Sequence, residues 1–425
     1  MTERRSAAAD PQPGRAGRGA PLDAQTSLRS AALWAPLGVA LLVASAASDR
    51  VGALQVGLLL AVVAGLWQVV RSRAGHGLSA RVPIVLVVPL SVLGAVQMPT
   101  LPAVEPPPPA AATTGLWLSH EEVMALPTSG AGWEQVRADA TGDWGDADIS
   151  DQKSDHDVKT LAGALYATRT GDDAMRAQVT RAIEDAVGTE DGGRTLALGR
   201  NLVSYVIAAD LVGYRTPAFE DWLREVRHDE LDGRTLVSTH EDRPNNWGAH
   251  AGASRIAAAR YLGDTADLEA AADVFRGYVG ERNVYDDFDF EGRKWQADPD
   301  APVGINPPGA TRDGVDVDGV LPDDQRRCGC NLDESPKEAD YVWEALQGLT
   351  VQARLLERAG HPAWAWGDRA LFRAVRWLED AELPAEGDDT WVPALVNDAY
   401  QTSFDGEKAP QIGKNMGYTT WITEG

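Results

Sequence analysis

Residues 243–255 read Arg-Pro-Asn-Asn-Trp-Gly-Ala-His-Ala-Gly-Ala-Ser-Arg, and they predict a helix that begins at Asn246. Pro244 favours an extended backbone before the helix, and Asn245 is a suitable N-cap residue. Asn246 and His250 are four residues apart, so their side chains share one helical face. Because backbone dipoles at a helix N-terminus favour anions, the stretch predicts a site for a negatively charged ligand. A capped helix with a hydrogen-bonded histidine is the alternative.

Helical periodicity continues on both sides of this stretch. It predicts helices at Val158–Thr168, Asp172–Val187, Leu196–Val212, Ala218–Val226, Asn246–Leu262, Ala266–Val279, Asp340–Ala359 and Trp364–Glu379. No convincing run of alternating apolar and polar residues occurs, so an all-α domain is predicted from Gly115 onward. Short turns between successive helices favour a closed or open ring of antiparallel helix hairpins. The segment Asp286–Pro336 is too long for an ordinary connection, and such loops are often functional.

Three uncharged apolar runs precede this domain, at Ala31–Ser48, Gly52–Val70 and Val82–Met98. Each is about as long as a transmembrane helix needs to be. Arginines precede the first run and separate the second from the third, so the positive-inside rule predicts a cytoplasmic N-terminus. Three crossings then place the residues after Met98 outside the cytoplasm. A cleaved signal peptide is the alternative for the first run, but that run begins late and two more follow it.

The predicted organisation has four parts: a disordered cytoplasmic tail at residues 1–30, three transmembrane helices within residues 31–98, a proline-rich linker at residues 99–114, and the helical domain at residues 115–425. We therefore expect a multi-pass protein of the cell membrane, with the lipid bilayer as a partner of residues 31–98. The linker composition is typical of a semi-rigid spacer, which would hold the domain off the membrane.

The domain is strongly acidic. The whole chain carries a formal net charge of −24, although residues 1–114 contain nine arginines and five acidic residues. Phosphate binding needs clustered lysine and arginine, so nucleic acid is excluded as an expected partner.

Two features of the long segment bear on metals and thiols. Cys328 and Cys330 are the only cysteines, which excludes a disulfide framework. Free thiols, a strained bridge between the two and an intermolecular bond all agree with the sequence. Asp313–Gly319 is similar to part of a calcium loop, but Gly314 and Gln325 stand at the first and last ligand positions of an EF-hand. A turn-rich acidic loop is predicted instead, and no metal or cofactor is expected.

Several motifs follow one another along residues 115–425. They are Trp117–Ala140, Lys159–Ala162 with Ala164–Thr168, Leu196–Leu202, Tyr205–Asp210, Asn245–Asn246, Asp318–Pro322, and Tyr341 with Ala345–Gln347. In this order they resemble the alginate lyase superfamily of polysaccharide lyases, over about three quarters of the chain. The resemblance implies an α/α toroid, and an enzyme that cleaves a uronate-containing polysaccharide by β-elimination. An anionic polysaccharide is then the expected partner.

The resemblance also implies roles for particular residues. Asn246 is similar to the asparagine that binds the substrate carboxylate, and Arg327 to the active-site arginine. Tyr341 resembles the tyrosine that serves as proton donor and often also as base. A nearby arginine would favour its phenolate form. A tyrosine at a helix start and an arginine on a solvated loop are the alternatives for these two residues.

The sequence departs from the family pattern at two places. Trp247 stands where the better-known alginate lyases have a histidine, so His250 is the candidate catalytic histidine here. His156 is a second candidate, which flanking carboxylates would keep protonated unless it caps a helix beginning at Val158. The insertion Cys328–Asp340 separates Arg327 from Tyr341 by more residues than in the familiar pattern.

Further residues are predicted to bind substrate. They are Asn245, Arg200 and Asn201. Trp247, Trp295 and Trp343 are candidates to stack on sugar rings, although burial is the commoner fate of tryptophan. Arg200, Arg243, Arg255 and Arg327 are predicted to form a basic groove inside the acidic surface.

Two other functions agree with the sequence. A glycoside hydrolase on the same scaffold needs two carboxylates, for which Asp155, Asp316 and Glu344 are candidates. A non-catalytic protein for polysaccharide binding or export is the third possibility.

Overall fold

The computed structural model describes residues 115–405 and 416–423 of the chain. The predicted tail, the three predicted transmembrane helices and the predicted linker lie outside these residues. Helices dominate the described part: α1 (His120–Ala125), α2 (Ala131–Thr141), α3 (His156–Thr170), α4 (Asp173–Ala186), α5 (Thr195–Val212), α6 (Pro217–Val226), α7 (Leu236–Asp242), α8 (Asn246–Leu262), α9 (Thr265–Tyr278), α10 (Pro322–Gln325), α11 (Asp340–Arg358), α12 (Trp366–Asp380), α13 (Val392–Tyr400) and α14 (Thr419–Thr423).

Strands contribute very little to the described residues. β1 (Thr311–Arg312) and β2 (Val315–Asp316) pair in one antiparallel hairpin. Short 3-10 segments occur at Arg326–Cys328, Ala363–Ala365 and Gly387–Asp389. The all-α prediction is therefore confirmed for the described part, while the toroidal arrangement stays a prediction.

The predicted helix boundaries agree closely with the observed ones. α8 has the predicted ends, and the other seven predicted helices differ from the observed ones by at most two residues at either end. The shorter helices were not predicted, because runs of 4 to 11 residues are too short to establish a helical period. Their start signals differ: α1 and α7 begin with capping boxes, whereas α2 follows Gly130, which has no side chain to cap it.

α8 is the central helix of the domain, and it packs against both α5 and α11. Two glycines allow this close approach. A Cβ atom added at Gly199 of α5 would lie 2.8 Å from the Ala251 nitrogen, and one added at Gly348 of α11 would lie 2.3 Å from the Ala249 carbonyl carbon. Both distances are too short for non-bonded atoms, so only glycine fits at these two positions. α5 and α11 therefore pack directly against the backbone of α8.

α5 is the one helix of the described residues that is long and apolar enough to cross a membrane by composition. Its mean hydropathy is 1.3, and 89% of it is buried inside the domain. Such burial is typical of the core helix of a globular domain, which needs no polar face.

The long segment between α9 and α11 has a small core of its own, formed by Trp295, Ala310, Val317, Val320 and Cys330. The turn of the β-hairpin has positive φ angles at Asp313 (52°) and Gly314 (84°), which explains its Asp-Gly sequence. Asp318 of the calcium-like stretch is ion-paired, at 2.6 Å to Arg373 Nη1 and 3.0 Å to Arg376 Nη2. These pairs fasten the segment to α12.

The two cysteines are joined to each other by a disulfide bond. Of the three states that agree with the sequence, the structure thus has the bridge across one residue. Gly329 between them adopts a φ of 68°, which favours glycine. Cys330 is buried in the small core, whereas Cys328 is half-buried.

The close packing at α8 predicts that Gly348→Ala destabilises the domain. The added methyl group would overlap the Ala249 carbonyl, and such overpacking costs about 1–3 kcal/mol. Chemical denaturation of the variant measures this loss. Ala177→Ser, which adds one heavy atom at an exposed position of α4, is the control and should have nearly the wild-type free energy of unfolding. Equal stability of the two variants would contradict the close approach of α11.

Candidate active site

A cleft of about 320 Å³ opens beside the first turn of α11. It is lined by Asp324, Cys328, Glu338, Ala339, Asp340, Tyr341, Val342 and Glu344. Tyr341 and Glu344 are three residues apart on α11, so both lie on the same side of the helix. The cleft combines an exposed phenol with several carboxyl groups.

The N-terminus of α8 lies against the same region. The Asn245 Oδ1 accepts a hydrogen bond of 3.1 Å from the Trp247 amide, so Asn245 caps the helix as predicted. Its Nδ2 donates to the Asp323 carboxylate at 3.1 Å, and the residue is only 4% exposed. Both polar ends of the Asn245 side chain thus have partners within the protein, and its predicted substrate contact stays a prediction.

A carboxyl group of the protein itself occupies the N-terminus of α8. The Asn246 amide donates to Asp324 Oδ1 at 3.2 Å. Burial and the neighbouring Asp323 raise the pKa of Asp324 well above its usual range. The predicted preference for an acidic group at this N-terminus is thus met internally by α10.

The Asn246 side chain connects two charged residues. Its Oδ1 accepts a hydrogen bond of 3.0 Å from Arg327 Nη1, and its Nδ2 donates to Glu344 Oε2 at 2.6 Å. A guanidinium only donates and a carboxylate only accepts, so the two partners determine the orientation of the amide. Asn246 is 1% exposed, and it therefore presents its amide in one fixed direction.

Arg327 and Tyr341 lie together despite the insertion between them. The guanidinium carbon of Arg327 is 3.3 Å from the centroid of the Tyr341 ring, which is a cation–π contact. Tyr341 is 41% exposed. The segment Cys328–Asp340 thus loops out and returns the chain, so that the tyrosine lies beside the arginine.

Arg200 of α5 approaches the site from the opposite side. Its Nη1 lies 3.5 Å from Glu344 Oε1, and its Nη2 lies 3.5 Å from Asp388 Oδ2. Gln347 of α11 donates to Asp389 Oδ1 at 2.6 Å. Burial, together with the charge of Asp388, raises the pKa of Asp389 to about 8. The sequence did not point to Asp388 or Asp389, because their short 3-10 segment has no motif.

His250 is completely buried between the central helices. Burial and the charge of Arg200 hold the pKa of its imidazole well below the usual range, so the ring is neutral. A neutral ring has the form that a base requires, but it is closed off from the surface of the cleft in this structure. Its catalytic role stays a prediction.

Neither His156 nor Asn201 lines the cleft. α3 begins at His156 rather than at Val158, and His156 Nδ1 is hydrogen-bonded to the Tyr205 hydroxyl at 2.7 Å. Burial lowers the pKa of His156 despite nearby carboxylates, so the predicted protonated state is wrong. Asn201 Nδ2 donates to the carbonyls of Ile149 (3.1 Å) and Asp151 (2.9 Å), so it holds a loop. Its predicted substrate contact stays a prediction.

Two of the three tryptophans that were predicted to stack on sugar rings are buried and cannot contact a ligand in this structure. Trp295 and Trp343 are 1% and 2% exposed, so both belong to the interior. Trp247 is half-buried, and the Arg243 guanidinium carbon lies 4.5 Å from the centre of its ring. The stacking role of Trp247 stays a prediction.

None of the four arginines of the predicted basic groove lines the cleft. Arg255 is buried and ion-paired with Asp267 at 2.7 Å and Glu241 at 3.1 Å. Arg200 has two acidic partners, and Arg327 Nη1 lies 3.7 Å from Asp324 Oδ1. Desolvation makes an unpaired buried guanidinium costly, which explains why the buried Arg200 and Arg255 each have carboxylates nearby.

A comparison with known proteins finds one matching family model. Residues 202–391 match the family model described as alginate lyase. No curated protein and no solved structure gives a match. The match confirms the resemblance to the alginate lyase superfamily for residues 202–391, a range that includes Asn246, Arg327 and Tyr341. Over the rest of residues 115–425 the resemblance stays a prediction. The match supports a polysaccharide lyase family, for which an anionic polysaccharide is the implied substrate.

The buried Asp389 predicts a pH-dependent stability. The folded protein retains a proton on this carboxyl up to about pH 8, whereas the unfolded chain loses it near the ordinary value of 3.8. Since unfolding releases this proton between these values, its contribution to stability falls as the pH rises through that window and is constant above it.

Asp389→Asn removes this contribution. We expect the free energy of unfolding of the wild type to fall relative to that of the variant between about pH 4 and pH 8. Denaturant titrations at several pH values measure the difference. Asp380→Asn, which alters an exposed carboxylate, is the control and should keep the wild-type slope. A difference between wild type and Asp389→Asn that does not vary with pH would refute the prediction.

Proposed function

We propose that residues 115–425 form a polysaccharide lyase domain that cleaves a uronate-containing polysaccharide by β-elimination. The single observation that carries the proposal is the contact of Arg327 with both Asn246 and the exposed ring of Tyr341. The family match supports a polysaccharide lyase and includes all three residues.

The reaction requires fixed hydrogen-bond donors. A base removes the proton at C5 of the uronate, and negative charge then develops on the adjacent carboxylate. Donors that are oriented beforehand stabilise this charge without reorganisation. In the proposed mechanism, Asn246 and Arg327 are these donors. Their mutual hydrogen bond and the burial of Asn246 provide the required rigidity.

Tyr341 is the proposed group for proton transfer. The C5–H bond and the bond from C4 to the glycosidic oxygen break, a C4–C5 double bond forms, and the leaving oxygen receives a proton. A phenol at the cleft surface, within the field of Arg327, has the chemistry to act as acid and, when ionised, as base.

A glycoside hydrolase is the second candidate. Glu344 and Asp388 both lie 3.5 Å from Arg200, so two carboxylates approach one guanidinium at the site. Hydrolysis uses such a pair on opposite sides of a glycosidic bond. The products separate the two functions, because elimination leaves an unsaturated uronate that absorbs ultraviolet light, and hydrolysis does not.

We further propose that the domain is anchored in the cell membrane and lies outside the cytoplasm. The support is the three apolar runs within residues 31–98 and the arginines that flank them.

Tyr341→Phe is expected to lower kcat by about 10²–10⁴, because the ring and its contact with Arg327 remain while the transferable proton is lost. The assay follows the absorbance of unsaturated ends as the full chain acts on a series of uronate polymers. Tyr166→Phe is the matched control, since Tyr166 stacks on Trp133 in another part of the domain. Polymer cleavage by the wild type without unsaturated ends would favour the hydrolase. No cleavage of any polymer, or cleavage that Tyr341→Phe leaves unaltered, would exclude this catalytic role.

The proposed topology predicts a simple accessibility pattern. In intact cells, protease added from outside should degrade residues 115–425 and leave a tag at the N-terminus protected. Immunoblots against both ends of the chain, with permeabilised cells as the control, measure this. Protection of the C-terminal domain in intact cells would refute the extracytoplasmic location.

A further inference from the structure

Glu344 occupies a position that a substrate carboxylate would need. One of its oxygens accepts the 2.6 Å hydrogen bond from Asn246 Nδ2, and the other lies 3.5 Å from Arg200 Nη1. The residue lines the cleft on the same side of α11 as Tyr341. The Glu344 carboxylate therefore lies beside the exposed phenol of Tyr341. It also occupies the Asn246 amide that binds the uronate in the proposed mechanism.

The side-chain amide of Asn246 has one fixed orientation. Arg327 holds the oxygen end, so the nitrogen end must point toward Glu344. A second carboxylate near this nitrogen would meet the negative charge of Glu344 at close range, which is strongly unfavourable where water is scarce. A uronate therefore binds here only if Glu344 moves away.

We infer that Glu344 is a specificity-determining residue that substitutes for the substrate carboxylate in the unliganded protein, so that uronate binding is a displacement. The inference rests on the proposed lyase function and adds a residue to it. The Glu344 side chain is 24% exposed at the edge of the cleft, so it has a path toward solvent when displaced. Arg200 keeps Asp388 as a partner when Glu344 leaves.

Displacement makes the site selective for long chains. For a single uronate, the binding free energy gained at Asn246 is largely offset by the loss of the contacts of Glu344 with Asn246 and Arg200. A polymer makes further contacts along the cleft, and binding energy from these remote sugars can drive the rearrangement at the reacting centre. Free uronate and short products are then weak ligands, which limits product inhibition.

The test measures the binding of sodium glucuronate, with glucose as the neutral counterpart, to the full-length protein by calorimetry. Glu344→Gln should bind glucuronate at least tenfold more tightly than the wild type, and Glu344→Ala at least as tightly as Glu344→Gln. Glucose binding should not change. Glu338→Gln removes one charge from the same cleft without touching Asn246, and it should change glucuronate binding by about threefold or less.

Two results would overturn the inference. One is unchanged glucuronate binding in both Glu344 variants when thermal unfolding shows that at least one of them is folded. The other is an equal gain in Glu338→Gln, which would mean that only the general charge of the cleft matters. With a cleavable polymer, a loss of kcat at unchanged KM would instead make Glu344 catalytic. The binding assay needs no turnover, so it stays informative if no polymer gives unsaturated ends and the lyase proposal fails.

Discussion

The close approach of α8 to its two neighbours is the constraint on which the rest of the domain depends. Gly199 and Gly348 let α5 and α11 pack directly on the α8 backbone. The start of α8 is thereby held next to Arg200 from one neighbour and next to the first turn of the other. The Asn246 amide therefore reaches both Arg327 and Glu344. A looser packing of these three helices would separate the groups that make the site.

The charges of the site are arranged locally, and the net charge of the chain does not describe them. Arg200 and Arg327 are accompanied by carboxylates, and the cleft itself is lined by Asp324, Glu338, Asp340 and Glu344. In the proposed function, an anionic polymer meets a surface on which cationic donors are already engaged. Recognition then depends on exchanging internal partners for substrate groups, and less on long-range attraction.

Much of this was predictable from the sequence, and the failures have physical causes. The boundaries of α8 and its Asn245 cap follow from local signals. The family resemblance singles out Arg327 and Tyr341, but their contact across the insertion Cys328–Asp340 emerges only in the structure. The environment of a side chain does not follow from local signals. Asn201 and Arg255 stand among motif residues, yet packing directs them toward a loop and a buried ion pair. His156 has acidic neighbours in the sequence, but desolvation dominates its titration.

The Cys328–Cys330 bridge has a consequence for the arginine that precedes it. It closes a ring of only three residues, so it removes little entropy from the unfolded chain and adds little to global stability. Cys330 is buried beside Trp295 in the small core, and Cys328 is adjacent to Arg327 in the chain. The backbone of Arg327 is therefore tethered covalently to a packed apolar cluster. Part of the entropic cost of orienting its guanidinium over the phenol is already met before any ligand arrives.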